Sequence, residues 1–205
     1  AELTLPTADG SANQFLKTNG SGALSFATAS DYFKIQAASS TTAIGALVWQ
    51  NLDVTTYRTF KIVISAYPVN DAQSLYLRVL DGSTYKNLAN TYNWAQTGTN
   101  GASAAINIGG TDSFAKVGGN AGNNNYEGWK AEITYVPQVS GEYTHANNFG
   151  YSQCNRYSST NSHRGETFHF RFHQADVTDG IELYAASGQI AAYSYTLYGL
   201  KRLLD

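Results

Sequence analysis

Apolar residues recur at every second position in several segments of this 205-residue chain. A period of two places successive side chains on opposite faces of a β-strand. No window of a dozen residues carries the 3.6-residue apolar stripe of an amphipathic helix. The clearest alternation is found in residues 59–67, 74–82, 129–136, 166–173 and 180–185. Many short strands separated by Gly and Asn turns predict an all-β fold, an antiparallel β-sandwich or jelly-roll-like domain.

The first 30 residues are rich in turn-forming dipeptides. Residues 14–18 and 23–27 are predicted strands on either side of Asn19-Gly20-Ser21-Gly22, a sequence typical of a hairpin tip. Because an isolated two-stranded hairpin is only marginally stable in water, we expect it to pack against another surface. The pattern therefore predicts a small attachment or stalk-junction hairpin over residues 1–30 and a β-sandwich domain over residues 31–205.

Residues 97–128 form a Gly-, Ala- and Asn-rich segment that is nearly uncharged. One interpretation is a pair of edge strands, at residues 104–108 and 113–117, joined by surface turns. The other is a variable loop at the tip of the domain, which would offer amides and a Tyr to a glycan. The sequence leaves both interpretations open.

The charge content of the chain is low. Asp, Glu, Lys and Arg make up 14% of the residues, against roughly 25% in typical soluble domains. Uncharged polar residues and fifteen Tyr must therefore cover much of the surface. The net charge is −2, without a basic stripe, so we expect no nucleic-acid partner. The longest apolar run, residues 43–49, is too short to span a bilayer, and we expect no membrane insertion.

The histidines do not form a metal site within one strand. His169 and His173 lie four residues apart in a predicted strand, which separates them by roughly 13 Å. A single ion is held at about 2 Å by each ligand. A metal could be shared only between copies of the chain around a subunit axis. The preferred interpretation buries Phe168, Phe170 and Phe172, while His169, Arg171 and His173 face solvent or a neighbouring subunit.

No arrangement of residues indicates catalysis. Cys154 lacks the local motifs of cysteine nucleophiles and is expected to be a small buried residue, although Glu142 and His145 precede it. There is no GxSxG nucleophile elbow. Glycoside cleavage needs two paired carboxylates, and no spacing selects a pair from Glu127, Glu132, Asp176 and Asp179. We therefore expect no enzyme activity, no catalytic residue, no metal and no cofactor.

Several clusters combine aromatic rings with amide or guanidinium groups, the mixture that binds carbohydrates by stacking and hydrogen bonding. The candidate glycan or receptor contacts are Tyr92, Trp94, Asn123, Asn124, Asn125, Tyr126, Asn147, Asn148, Tyr151, Arg156 and Tyr157. Ordinary packing, or contact between subunits, is the alternative interpretation for each cluster.

Three segments resemble virion proteins. Residues 3–27, LTLPTADGSANQFLKTNGSGALSFA, are similar to a segment LPxADGxxxQxLxTxGxGxLSF/W that precedes fibre and appendage domains in phage virion proteins. Residues 51–82 are similar to a family segment with an (L/I)D-x-(T/S)-x-Y element, a Pro-containing loop and an LxLR strand. Residues 180–205 contain LYGLK and resemble the C-terminus of bacteriophage and marine-virus tail-fibre proteins. Residues 97–128 have no counterpart in these patterns.

This resemblance implies a phage tail fibre or receptor-binding appendage module on the virion surface, assembled in the host cytoplasm. It also implies a homotrimer, docking of residues 1–30 onto another virion protein, and contact with a host cell-surface glycan or protein. A capsid decoration or head-fibre protein of the same fold is the first alternative. A polysaccharide depolymerase is the second, and it is less expected because such tailspikes are usually longer, repetitive β-helices.

Overall fold

The computed structural model describes residues 2–12, 14–28, 32–100, 103–108, 112–124, 127–138, 148–157, 163–174 and 176–201. Within these ranges the regular structure is entirely β-strand, which confirms the predicted all-β class. The strands are β1 (Gln14–Thr18), β2 (Leu24–Thr28), β3 (Tyr32–Ser40), β4 (Ala46–Trp49), β5 (Tyr57–Pro68), β6 (Gln73–Asp81), β7 (Thr84–Tyr85), β8 (Tyr92–Asn100), β9 (Ser103–Ile108), β10 (Ala115–Ala121), β11 (Gly128–Val136), β12 (Asn148–Tyr157), β13 (His163–Phe172), β14 (Gly180–Ala185) and β15 (Ile190–Lys201). A search of the same ranges finds no helix long and apolar enough to cross a membrane.

The chain divides into two units, Ala1–Phe33 and Lys34–Asp205. In the first unit β1 and β2 pair antiparallel, from Gln14 opposite Thr28 to Thr18 opposite Leu24. The Asn19 side chain closes the turn between them, because its oxygen accepts hydrogen bonds from the backbone N–H groups of Ser21 (2.8 Å) and Ala23 (3.1 Å). The hairpin predicted around Asn19-Gly20-Ser21-Gly22 is confirmed.

The second unit is an antiparallel β-sandwich of two sheets. The large sheet has the order β3-β15-β5-β11-β12-β13-β8-β9, and the small sheet has the order β10-β6-β14-β4, with β7 paired to β6. Ile62 and Ile133 of the large sheet pack in one core with Leu77 and Ile181 of the small sheet. This layering is the predicted sandwich, and its core lies between the two sheets.

The period of two in the sequence corresponds to the two faces of each strand. In β13 the side chains of Phe168, Phe170 and Phe172 are buried, whereas His169 and Arg171 are exposed, as predicted. The described residues contain no group of three or more His, Cys, Asp or Glu side chains that could hold a metal ion.

The Gly-rich segment 97–128 supplies edge strands to both sheets. After β8, the chain forms β9 at the end of the large sheet and then β10 at the end of the small sheet. The edge-strand interpretation of this segment is therefore confirmed, although β10 covers Ala115–Ala121 and extends beyond the predicted bounds. The turn at Ser187-Gly188, where Gly188 has a φ of 75°, connects β14 of the small sheet to β15 of the large sheet.

Candidate functional site

The outer face of the large sheet is built by the residues that alternate with the core. In β12 the exposure alternates without interruption along the whole strand. The outward residues of β12 are Phe149, Tyr151, Gln153, Asn155 and Tyr157. The neighbouring strands add further exposed side chains, among them Val63 and Tyr67 of β5. This face therefore presents aromatic rings and polar groups side by side.

A cavity of about 620 Å³ lies at one end of this outer face, and we call it the sheet groove. Gly128 lines the groove, pairs with Tyr157 on one side and adjoins Tyr67 on the other. The backbone of Gly128 has a φ of +125°, and a Cβ atom there would lie 2.5 Å from the carbonyl oxygen of Ala66. Because β11 lies between β5 and β12, the backbones that carry the two tyrosines are two strand spacings, about 10 Å, apart.

A row of polar side chains crosses the groove over four adjacent strands. Ser194 of β15 pairs with Ser65 of β5, Ser65 pairs with Lys130 of β11, and Lys130 pairs with Asn155 of β12. All four residues are exposed and also line an adjoining depression of about 480 Å³. Because strands are spaced by about 4.8 Å, the row is about 14 Å long.

Charged groups at the groove have opposite signs. Lys130 lines the groove together with Glu127, whose carboxylate accepts a hydrogen bond from the Asn124 N–H (2.8 Å). The imidazole of His163 lies across from Tyr157, with 6.4 Å between the ring centroids. The groove can thus combine ring stacking with hydrogen bonds from hydroxyl, amide, ammonium and carboxylate groups.

A buried ion pair lies behind the groove on the core side of β12. The guanidinium of Arg156 donates to Glu166 through Nε (2.8 Å) and Nη2 (2.7 Å). The Glu166 carboxylate also accepts hydrogen bonds from the Gly119 N–H (3.1 Å) and the Gln96 amide (2.9 Å). Arg156 therefore joins β12 to β13 and β10. It also lines the groove, and its predicted glycan contact stays a prediction.

Two other predicted contacts also have structural partners. The Tyr92 side chain is fully buried, where its hydroxyl accepts a hydrogen bond from the Val79 N–H (2.9 Å) and donates one to the Lys86 carbonyl (2.6 Å). Trp94 is half-buried, and its indole N–H donates to the Asp112 carboxylate (3.0 Å). Neither residue lines the sheet groove.

Asn148 is buried at the start of β12. Its side-chain oxygen accepts hydrogen bonds from the Tyr135 hydroxyl (3.2 Å), the Gln138 N–H (2.7 Å) and the Thr178 hydroxyl. These bonds tie β12 to the end of β11 and to the segment before β14. The structure thus gives Asn148 a role in holding these segments together.

The remaining predicted contacts are exposed or lie outside the described residues. Asn123 donates to the Val69 carbonyl (2.8 Å), and its neighbour Asn124 donates to Glu127 of the groove. Tyr157 lines the groove, whereas Tyr151 lies on the same face further along β12. Asn125, Tyr126 and Asn147 are outside the described ranges.

Sequence reasoning missed several groove residues that the sheet brings together. Tyr67 and Ser65 alternate with buried residues of a correctly predicted strand, and Lys130 does so in the next strand of the sheet. The period of two therefore predicts that these three side chains face outward. That they share a groove with Ser194 follows only from strand order, because β15 lies next to β5.

The groups considered for catalysis that the structure describes are buried or have partners within the chain. Cys154 is buried, and burial, together with the nearby Glu166 charge, raises the pKa of its thiol to about 12. Glu132 pairs with Lys61 on the outer face at 2.7 Å. Asp176 instead pairs with Lys86 at 3.3 Å. Asp179 accepts a hydrogen bond from the Gly82 N–H (2.7 Å). Glu142 and His145 are outside the described ranges.

Comparisons of the chain with protein-family models, with curated proteins and with solved structures gave no match.

Proposed function

We propose that this chain is a bacteriophage virion appendage module, a tail fibre or receptor-binding protein, and that its sheet groove binds a glycan of the host surface. The resemblance of residues 3–27, 51–82 and 180–205 to virion proteins supports the location. The observation that carries the binding function is the groove of about 620 Å³ that Tyr67 and Tyr157 line together with a row of polar side chains. The proposed module does not cleave its ligand.

The groove has the composition that a glycan requires. Sugar rings present apolar C–H patches, which stack on aromatic rings such as those of Tyr67 and Tyr157, and hydroxyl groups, which need polar partners. The row that includes Lys130 and Asn155 supplies those partners along about 14 Å. A groove of this length suits an oligosaccharide. Because the positive charge of Lys130 and the negative charge of Glu127 balance each other, a neutral or weakly acidic glycan is favoured.

The test compares two tyrosines of the same strand and face. Tyr157 and Tyr151 are similarly exposed, at 37% and 39%, but only Tyr157 lines the groove. Stacking that buries about 60–80 Å² of apolar surface is worth about 1.5–2 kcal/mol. Tyr157→Ala should therefore weaken binding of host polysaccharide fragments about tenfold to thirtyfold in calorimetric titration. Tyr151→Ala should leave the affinity within about twofold.

Two results of this experiment would contradict the proposal. One is equal affinity of the Tyr157→Ala and wild-type chains, which would move the ligand away from the groove. The other is shortening of the polysaccharide after incubation with the wild-type chain, detected by size-exclusion chromatography, which would make the protein a depolymerase.

A second candidate is a capsid decoration or head-fibre protein that uses the same outer face to contact copies of itself. The observation that favours it is the set of exposed apolar side chains Val63, Phe149 and Tyr151 on this face. Such a surface is typical of subunit interfaces. Sedimentation should give a trimer if the face is buried between subunits, and immunogold labelling of virions distinguishes the tail from the capsid.

Attachment to the particle is proposed to use residues 1–30. The first unit exposes Leu3, Leu5, Phe15 and Leu16, an apolar surface that a partner protein could cover. Deletion of residues 1–30 should prevent incorporation into virions without unfolding the β-sandwich. Incorporation of the shortened chain at the wild-type level would refute this attachment role.

A further inference from the structure

The outer face of the large sheet carries a second group of exposed side chains, Asn93, Phe149, His169 and Arg171, which we call the Arg171 patch. Arg171 of β13 pairs with Phe149 of β12 on one side and with Asn93 of β8 on the other. His169 lies two residues before Arg171 on the same face of β13. All four residues are exposed, and none of them lines the sheet groove or the depression that adjoins it.

The four side chains of the patch lie within reach of a single small ligand. Because strands are spaced by about 4.8 Å, the row from Phe149 through Arg171 to Asn93 is about 10 Å long. Residues two apart on one strand are separated by about 6.7 Å, so His169 lies at that distance from Arg171 along β13. Side chains of residues that lie directly opposite each other on neighbouring strands are close enough to act together.

The guanidinium of Arg171 has no counter-ion within the described part of the chain. The cations that form ion pairs there are Lys61, Arg78, Lys86 and Arg156. The two residues that pair with Arg171 are an aromatic residue and an amide, and both are uncharged. The positive charge of Arg171 is therefore available to an anion from outside the chain.

The nearest acidic side chain that the register places on the same outer face does not compete for this charge. Glu132 of β11 lies two strands away from β13, and its carboxylate is bound to Lys61 at 2.7 Å. The patch thus differs in charge from the sheet groove, where Lys130 and Glu127 have opposite signs.

The chemistry of the patch combines hydrogen-bond donors with an apolar ring. A guanidinium presents five N–H donors in a planar fork that fits a carboxylate or a phosphate. The His169 imidazole and the Asn93 amide supply further donors. The side chain of Phe149, which is 54% exposed, offers an apolar surface beside them. A simple anion would use only the donors, and a neutral sugar would not use the charge, whereas an acidic sugar uses both.

We propose that the Arg171 patch is a second ligand site, which binds a sugar carrying a carboxylate or phosphate group. The anionic group is bound by Arg171, the C–H patch of the sugar ring stacks on Phe149, and the hydroxyls accept hydrogen bonds from His169 and Asn93. The site does not depend on the function proposed for the sheet groove.

A matched set of probes tests the requirement for an anionic group. The ¹⁵N-labelled full chain is titrated with methyl glucuronide, glucose 6-phosphate and methyl glucoside, up to about 50 mM, since a lone sugar is expected to bind with millimolar affinity. The glucuronide differs from the glucoside in carrying a carboxylate in place of a hydroxymethyl group. At least one acidic probe should bind saturably, at least tenfold more tightly than the glucoside, and shift the backbone amide signals of His169 and Arg171. The tighter of the two acidic probes identifies the preferred anionic group.

Three variants test the assignment of contacts with that preferred probe. Arg171→Gln removes the charge and should weaken binding at least tenfold. Arg58→Gln is the matched control, because Arg58 is an exposed arginine of β5 outside the patch and its loss changes the net charge equally. It should bind as the wild type does. Phe149→Ala should weaken binding of the acidic sugar several-fold but leave binding of inorganic phosphate unchanged.

Four results would overturn the proposal. The first is saturable binding of neither acidic probe, or equal affinity for the acidic and the neutral sugars. The second is an equal loss of affinity in Arg58→Gln and Arg171→Gln, which would reduce the effect to net charge. The third is an unchanged affinity for the acidic sugar in Phe149→Ala. The fourth is loss of the response in the groove variant Tyr157→Ala, which would assign the acidic sugar to the sheet groove.

Discussion

The substitution Arg156→Ala should lower the free energy of unfolding strongly, because it removes one half of a buried ion pair. The side chains of Arg156 and Glu166 are 5% and 3% exposed, and two hydrogen bonds of 2.8 and 2.7 Å connect them. Without Arg156, the Glu166 carboxylate keeps only its contacts to the Gly119 N–H and the Gln96 amide. Its negative charge would then be buried without a salt-bridge partner, although Lys116 still attracts it electrostatically.

The size of the effect follows from the burial of the pair. Removing one partner of a buried ion pair typically costs about 3–5 kcal/mol. For a domain of about 150–250 residues, each kcal/mol moves Tm by about 2–4 °C, so Arg156→Ala should lower Tm by about 6–20 °C. Replacing both partners together with apolar side chains of similar volume, as in Arg156→Met with Glu166→Met, should restore most of this loss.

The assay is guanidinium unfolding followed by circular dichroism, together with a thermal melt. Lys130→Ala is the matched control, because Lys130 is an exposed cation on the neighbouring strand, and its loss should change the free energy of unfolding by no more than about 0.5 kcal/mol. If Arg156→Ala melted within a few degrees of the wild type and mainly lost glycan affinity, the structural role of Arg156 would be refuted.

Two further predictions concern ionisable groups. Because burial raises the pKa of the Cys154 thiol to about 12, a thiol reagent at pH 8 should modify Cys154 only as fast as the chain unfolds; rapid labelling of the native protein would contradict its burial. Hydrogen bonds from Thr55 and Thr56 lower the pKa of Asp53 from 3.8 to about 2, so its stabilising effect is complete above about pH 4 and is lost as pH falls from 4 to 2. Thermal melts in this range should decline less steeply for Asp53→Asn, and parallel curves would show that Asp53 makes no such contribution.

The strands with clear apolar alternation, β5, β6, β11, β13 and β14, were predicted from local pattern. In β5, Phe60, Ile62 and Ile64 alternate with polar or smaller residues, and this period also identifies the outward residues that border the groove. The same argument places Tyr92 and Trp94 on one face of β8, because they are two residues apart. A segment this short does not show whether the face with Tyr92 and Trp94 points to the core or to solvent.

β12 was not predicted as a strand, and two of the predicted glycan contacts, Asn148 and Arg156, are buried on its inner face. Its inward residues include Gly150, Ser152, Cys154 and Arg156, which are small or polar and give no apolar alternation. They can be buried because partners elsewhere satisfy them: the Ser152 hydroxyl donates to the Val117 carbonyl (2.7 Å). Because such partners are distant in sequence, a local sequence pattern does not predict the burial of Arg156.

The sequence by itself determined the all-β class, the faces of its regular strands and the hairpin of residues 14–28, because these depend on interactions between near neighbours. Only the tertiary structure decided that Tyr67, Gly128 and Tyr157 lie side by side, since strand order and register bring together residues up to 90 positions apart. The spacing of hydrophobic residues along a strand determines which side of the strand is buried. Which strands lie next to it is set by how the whole chain packs.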